Sequence, residues 1–184
     1  MAAAGRRSDA LAALWGFAEA TLFFFVPDVY LSRLALFDLR AALRGCLWAL
    51  AGALAGGVLM YGWGGRDRAA AERALEAVPA ISMHAVEQVR SEIEERGAVA
   101  VFLGPLSGTP YKIYAVESAA AELPLPRFLL ISVPARLVRF VLVSLLAAGL
   151  ARGPLRRFGP RKLRIAHALS WAAFYVVYFA LKDW

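Results

Sequence analysis

The sequence predicts an all-α polytopic membrane protein: two opposing re-entrant helical hairpins, three membrane-crossing helices and a surface amphipathic helix, with inverted-repeat character. Three observations carry this. The chain of 184 residues is 60% hydrophobic and 19% charged, with a mean hydropathy of +0.57; an average soluble domain is nearer half apolar and a quarter charged. Three stretches are apolar over a length that crosses the hydrocarbon. Two more are apolar but interrupted by proline. The composition excludes a disordered chain and speaks against a soluble enzyme, and the length is that of a single membrane domain, 1–184.

The first element, 10–37, is a re-entrant hairpin. Its apolar run carries Glu19, and Phe23-Phe24-Phe25-Val26 leads into Pro27-Asp28 before the chain continues apolar apart from Arg33. Proline lacks an amide donor and clashes with the preceding turn, so one straight helix is disfavoured. Arg6 and Arg7 resemble the start of a secretory signal, but Glu19 lies within the apolar run and no small-residue cleavage site follows. The segment 41–63 is a transmembrane helix, free of charge from Gly45 to Trp63. Segment 66–96 alternates Arg, Ala and Glu, with Pro79 dividing it and Gly97 stopping it. Ile81, Val86, Val89 and Ile93 form one apolar face, which suits an amphipathic element on the membrane surface or a solvated linker helix.

The second hairpin, 98–123, carries only the charge of Lys112 as far as Val116, and the breaks expected in it are Gly104, Pro105, Gly108 and Pro110. Two transmembrane helices follow, 126–151, whose apolar run from Phe128 carries Arg136 and Arg139, and 165–181 with no formal charge. A crossing needs about 20 mostly apolar residues, with about 17 as the lower bound. Irregular backbone at membrane depth is tolerated only where protein or a wet cavity satisfies it, which favours re-entry over two kinked spanning helices for the broken segments.

Charge gives the sidedness. With both hairpins returning to the side they came from, Arg6, Arg7, Arg33, Arg40, Arg44 and the cluster Arg152, Arg156, Arg157, Arg161, Lys162 and Arg164 share one side. The opposite side receives 64–97, with five arginines against seven acids. This satisfies the positive-inside rule at every connection, with the N-terminus cytoplasmic. Full spanning would separate Arg33, Arg40 and Arg44 from Arg6 and Arg7. The net charge of +7 is thus read as membrane orientation and contact with anionic lipid, and no nucleic acid is expected as partner. Hairpin, crossing and surface segment followed by hairpin and crossings gives two halves of opposite topology, an architecture found in transporters.

The candidate substrate and proton-coupling residues are the charges inside apolar runs, where an ionisable group costs about 2.5–3.5 kcal/mol or more and marks function by default. Glu19 and Asp28 place acids on both arms of the first hairpin. Arg136 and Arg139 are three apart and share a helix face with Ser132; guanidinium suits a two-pronged grip on phosphate. Lys112 completes the set. Each has a plainer reading: Glu19 satisfying backbone at the break, the arginines snorkelling or pairing with Glu19 or Asp28, Lys112 as a surface anchor. Gly52, Gly56 and Gly57 permit close helix approach, within the bundle in preference to a dimer face, so a homo-oligomer stays open. Tyr61, Trp63, Tyr175, Tyr178 and Trp184 read as interfacial anchors. The lone Cys46 and the isolated His84 and His167 supply no metal-ligand spacing, so neither metal nor cofactor is expected.

Glu19, then Pro27-Asp28, then Ala51-Gly52 through Gly56-Gly57 to Tyr61 resembles the opening half of DedA-type (VTT-domain, SNARE-associated Golgi-like) membrane proteins. Glu95-Arg96-Gly97 into Val101-Phe102, a proline-containing break and Leu125-Pro126-Arg127-Phe128 resembles their second half, so the likeness covers roughly residues 10–150. The resemblance implies two facing re-entrant hairpins and movement of lipids between leaflets; bacterial relatives are associated with undecaprenyl phosphate recycling and eukaryotic ones with phospholipid scrambling. It matches the family's acidic positions to Glu19 and Asp28. The arginines that flank the proline of the second hairpin in that family have no counterpart from Gly104 to Thr109, leaving Lys112, Arg136 and Arg139 as the available cations.

The leading expectation is therefore a non-enzymatic, multi-pass protein of the bacterial cytoplasmic (inner) membrane, a composition rich in alanine and arginine agreeing with a GC-rich bacterial source. Its partners would be membrane lipids, with an anionic lipid phosphate moved between leaflets and Glu19 exchanging a proton. Two other classes compete: a membrane scaffold or assembly factor that moves nothing, and a lipid-phosphate-processing enzyme, for which Ser107 lacks a neighbouring histidine.

Overall fold

The structure is a computed structural model in which residues 2–181 are described. Regular structure among these residues is helical throughout: α1 (Ala2–Ala20), α2 (Asp28–Ala35), α3 (Leu39–Arg66), α4 (Arg68–Glu76), α5 (Met83–Arg96), α6 (Ala98–Ser107), α7 (Tyr111–Ala120), α8 (Leu125–Arg152) and α9 (Pro160–Leu181). Three of them, α3, α8 and α9, are long and apolar enough to cross a membrane. At 1.5 Å per residue they measure about 42, 42 and 33 Å, against about 30 Å of hydrocarbon. They coincide with the three uninterrupted apolar stretches.

The contacts fix the direction of each helix. Phe128 at the start of α8 stacks beside Tyr61 near the end of α3, and Ser144 lies 3.5 Å from Cys46, so α8 runs opposite to α3. Gly5, Gly16 and Ala20 of α1 lie against Arg44, Ala49 and Gly56 of α3 in turn, so α1 runs the same way as α3. Two successive helices can be parallel only if the chain between them returns. It does so through 21–27 and α2, where Tyr30 stacks on Trp15 and its hydroxyl pairs with Ser8 at 2.8 Å.

α6 and α7 form a second helix–turn–helix, packed against α8 and α3. Arg139 of α8 reaches the Pro105 carbonyl at the far end of α6. From there α7 returns alongside α3, with Tyr111 beside Gly57 and Val116 beside Gly64. The first hairpin opens toward the start of α3 and the second toward its end, and their turns meet inside the bundle. In each half the first arm packs on its own long helix, α1 on α3 and α6 on α8; the returning arm packs on the other half's helix, α2 on α8 and α7 on α3.

Local chemistry sets the boundaries. Asp38, Asp67 and Ser82 accept from the amides of Ala41, Ala70 and Ala85 and so cap α3, α4 and α5, satisfying orphan first-turn donors. Gly97 separates α5 from α6 at φ +54, ψ −129, backbone that a side chain would oppose. The second break is shorter than the sequence suggests. Gly104 and Pro105 remain inside α6, which stops at Gly108 (φ +95), with the Thr109 amide bonded back to the Gly104 carbonyl at 3.2 Å; this is the left-handed helix stop. Pro105 forfeits only its own amide bond, and Gly104 leaves room for the Tyr114 ring and hydroxyl, which a β-carbon would overlap. Only Gly108, Thr109 and Pro110 interrupt the helix. Pro27 directly precedes α2 and is buried.

The surface segment is divided at 77–82, around Pro79, as its sequence suggests. Ile81, Val86, Val89 and Ile93 are buried, but against α6 and α7 instead of lying free for lipid. A polar clasp reinforces this contact: Arg68 and Arg90 both donate to the buried Glu117 on α7, at 2.5 and 3.2 Å, and both donate to Glu72 at 2.8 Å. The last helix is attached differently. Leu163 is the sole buried residue among those described in α9, which rests on α2 and the first turn.

Candidate functional site

Glycines bring the elements of the site together. Gly52 lies against the Ala13 carbonyl and the Phe17 amide, Gly56 against Ala20 and the Phe17 carbonyl, and Gly57 against the Tyr111 hydroxyl. These small residues on α3 therefore dock α1 and α7 within the bundle. They do so one residue from Glu19 on one side and one residue from Lys112 on the other.

The five charged residues singled out from the sequence converge. Glu19, one residue from the end of α1, is paired through both carboxylate oxygens with Arg136 of α8. Asp28, the first residue of α2, accepts from Arg139 at 2.9 Å. Arg139 also donates to the Pro105 carbonyl of the second hairpin at 3.3 Å, so a guanidinium does stand at that proline, supplied by α8. Lys112 donates to the Phe23 carbonyl in the first turn at 2.5 Å and thereby ties the two turns together. Arg136 is sandwiched between Tyr111 and Phe140, whose ring centres lie 4.8 and 5.0 Å from its guanidinium carbon. Burial of a cation against two ring faces strengthens such contacts. Ser132, on the same helix face, receives the Tyr111 hydroxyl at 3.0 Å.

Glu19, Asp28, Lys112 and Arg136 are each at most 4% exposed. Three cations face two carboxylates, and the surplus cation is Lys112, which makes no ion pair among the described residues. Two buried atoms of the cluster have unmet hydrogen-bonding capacity, Asp28 Oδ1 and Arg136 Nε. Beside the cluster lies a cavity of about 300 Å³. Glu19, Lys112 and Arg139 give it a charged floor; Phe24, Phe174, Tyr175 and Tyr178 give it an aromatic wall, and Ser107 to Pro110 of the second turn complete it. Charged floor and apolar wall together suit an amphiphile's headgroup.

Some of this was invisible in the sequence. Tyr175 reads as an interfacial anchor, yet its hydroxyl accepts from the Val26 amide at 3.0 Å and closes the cavity. The isolated His167 shares a hydrogen bond of 2.8 Å with Ser32, which also receives the Trp171 indole at 3.1 Å. The run of Trp171, Phe174, Tyr175 and Tyr178 on one face of α9 is the signal that could have found this wall. Trp184 lies outside the described residues. Among the described residues no group of three His, Cys, Asp or Glu is placed to hold a metal ion.

No family model matches the chain, and no solved structure matches it. An uncharacterized protein of Haemophilus influenzae is 24% identical over 170 residues, covering 91% of this chain and 85% of that protein. The likeness runs through both halves and is not confined to one apolar stretch.

Proposed function

We propose that the protein moves a lipid or lipid phosphate between leaflets of a bacterial cytoplasmic membrane, as a divergent member of the DedA-type (VTT-domain) proteins. The observation that carries this reading is Lys112, a buried cation that makes no ion pair among the described residues, on the floor of a cavity between two helical turns; Glu19 shares that floor but is engaged with Arg136. A charge kept unpaired away from water is costly, and an anionic headgroup arriving at the cavity would relieve that cost. On this reading the hairpins re-enter the membrane from opposite sides and the halves form an inverted repeat. Supporting it are the parallel course of α1 and α3, the reciprocal packing of the returning arms, and a charged cluster near the middle of α8. Arg139 and Lys112 hold the phosphate, while Glu19 balances charge or exchanges a proton.

The closed Glu19–Arg136 pair also suits a brace that only holds the hairpins together, which is the scaffold reading. The two readings part at Lys112. In vesicles containing purified protein and a fluorescent phospholipid or lipid phosphate, wild type should equilibrate the label across the bilayer. Lys112→Gln should slow this at least about tenfold, the scale of losing one charge-assisted bond to phosphate, while melting near the wild-type temperature. A wild type that moves no label, or a variant as fast as wild type, rejects transport through this site.

The orientation proposed is N-terminus cytoplasmic. The starts of α1, α3 and α9 and the ends of α2 and α8 share one end of the bundle, which therefore collects Arg6, Arg7, Arg33, Arg40, Arg44 and the arginines of 152–164, with Asp9 and Asp38 as its acids. Single cysteines at the exposed positions Arg7 and Arg40 should label only from the cytoplasm, and one at Glu76 only from outside. Labelling of Arg7→Cys and Arg40→Cys from different sides would overturn re-entry of the first hairpin.

A further inference from the structure

At the positive end of the bundle, a groove of about 380 Å³ runs between the end of α2 and the start of α9. Arg33 and Arg164 reach it from the two helices; Leu34, Phe37, Asp38 and Pro160 complete its lining. Neither guanidinium has an ion-pair or hydrogen-bond partner among the described residues. Asp38, the acid in the groove, caps α3 through Oδ1, which accepts from the Ala41 amide at 3.0 Å; its charge offsets one of the two guanidiniums and leaves the groove with a net positive charge. Phe37 is 50% exposed, so an open aromatic face adjoins two unpaired cations. The 22-residue helix α9 also presents its N-terminus at Pro160, where the helix dipole favours an anion.

We infer that this groove binds the headgroup of an anionic phospholipid, with Arg33 and Arg164 gripping the phosphate and Phe37 and Leu34 lying along the first carbons of the acyl chain. Charge and shape agree. Two guanidiniums from different helices line one groove, and guanidinium is suited to phosphate; the apolar wall beside them has no use for a free inorganic ion. The groove lies at the end of the bundle that carries the arginines of α1, α3 and 152–164, the end assigned to the membrane surface in the proposed orientation. A lipid held there bridges α2 and α9. That bridge matters because α9 buries little and is otherwise joined to α2 through Ser32, His167 and Trp171. The site is separate from the cavity at the hairpin turns and does not depend on transport.

The test uses the full-length protein in detergent micelles, with bound lipid counted by native mass spectrometry and the melting temperature followed on titration. Phosphatidylglycerol should bind and raise the melting temperature; phosphatidylcholine and inorganic phosphate should not. Arg33→Gln/Arg164→Gln should weaken phosphatidylglycerol binding about tenfold or more, the scale of losing two charged contacts to phosphate. Arg7→Gln/Arg156→Gln removes the same charge at the same end, outside the groove, and should leave binding within about twofold, as expected for screened surface charge. If the groove pair melts without lipid far below wild type, the exposed single change Arg164→Gln carries the test, with about threefold weakening expected. Equal losses in the groove pair and the off-groove pair mean diffuse attraction and overturn the site. Wild-type binding by the groove variants, or equal protection by inorganic phosphate, overturns it as well.

Discussion

Arg136→Gln is expected to cost about 3–5 kcal/mol of stability, the scale for breaking a buried ion pair from one side. Glu19 and Arg136 are 4% and 0% exposed, and removing the guanidinium takes from the buried carboxylate its direct partner, leaving Lys112 and Arg139 as the cations beside it on the cavity floor. Glu19→Gln should cost less, because the remaining cation keeps the faces of Tyr111 and Phe140. Replacing both partners, as in Glu19→Gln/Arg136→Met, removes the stranded charge and should recover more than half of the single-variant loss. A melting series in detergent gives the coupling between the two sites. Losses that simply add would mean that the two side chains do not act as a unit. The double variant also separates the functional readings: a stable protein without lipid flux assigns the pair a role in transport, whereas a stable protein with full flux reduces it to a brace.

The three long apolar helices were legible because a stretch that long with so few charges needs lipid, or the inside of a much larger protein, to surround it. The helices extend further than the apolar windows, α3 from Leu39 to Arg66 around the window 45–63, because a helix continues past the hydrocarbon as long as its flanking arginines reach water. The charged site was legible residue by residue for a related reason: an ionisable group in an apolar run is expensive enough to need a partner. That the two arginines could pair with Glu19 or Asp28 was legible; which arginine takes which acid was not. Glu19 and Arg136 are 117 positions apart and Asp28 and Arg139 are 111 apart, separations no periodicity encodes. Tyr111 and Tyr175 were hidden because an aromatic with a hydroxyl looks the same in sequence whether it anchors at an interface or closes a cavity. Gly104 and Pro105 misled in the opposite direction. Both residue types signal a break, but the packing of Tyr114 over Gly104 and the guanidinium at the Pro105 carbonyl hold the helix through them.

Gly52→Ala tests the contact that positions the site, and it does so through a reversal of sign. In an open helix, glycine to alanine stabilises by about 0.8–1 kcal/mol. Gly62 is the internal standard: it lies in the same helix, and a β-carbon there meets nothing within 4 Å, so Gly62→Ala should raise stability by up to that amount. At Gly52 the new methyl would overlap the Ala13 carbonyl oxygen, and Gly16 of α1 faces the Ala49 carbonyl just as closely. Backbone atoms cannot rotate aside, so α1 must move away from α3 as a whole. Overpacking of this kind costs about 1–3 kcal/mol or more. The displacement would not stop at the contact, because α1 carries Glu19 at its end while Arg136 is held between the rings of Tyr111 and Phe140. The expected outcome is a lower melting temperature for Gly52→Ala, a higher one for Gly62→Ala, and a loss of lipid flux in Gly52→Ala even at temperatures where it remains folded. If Gly52→Ala proves as stable as Gly62→Ala, then α1 does not lie on α3 as closely as the structure has it, and the pairing of Glu19 with Arg136 loses its support.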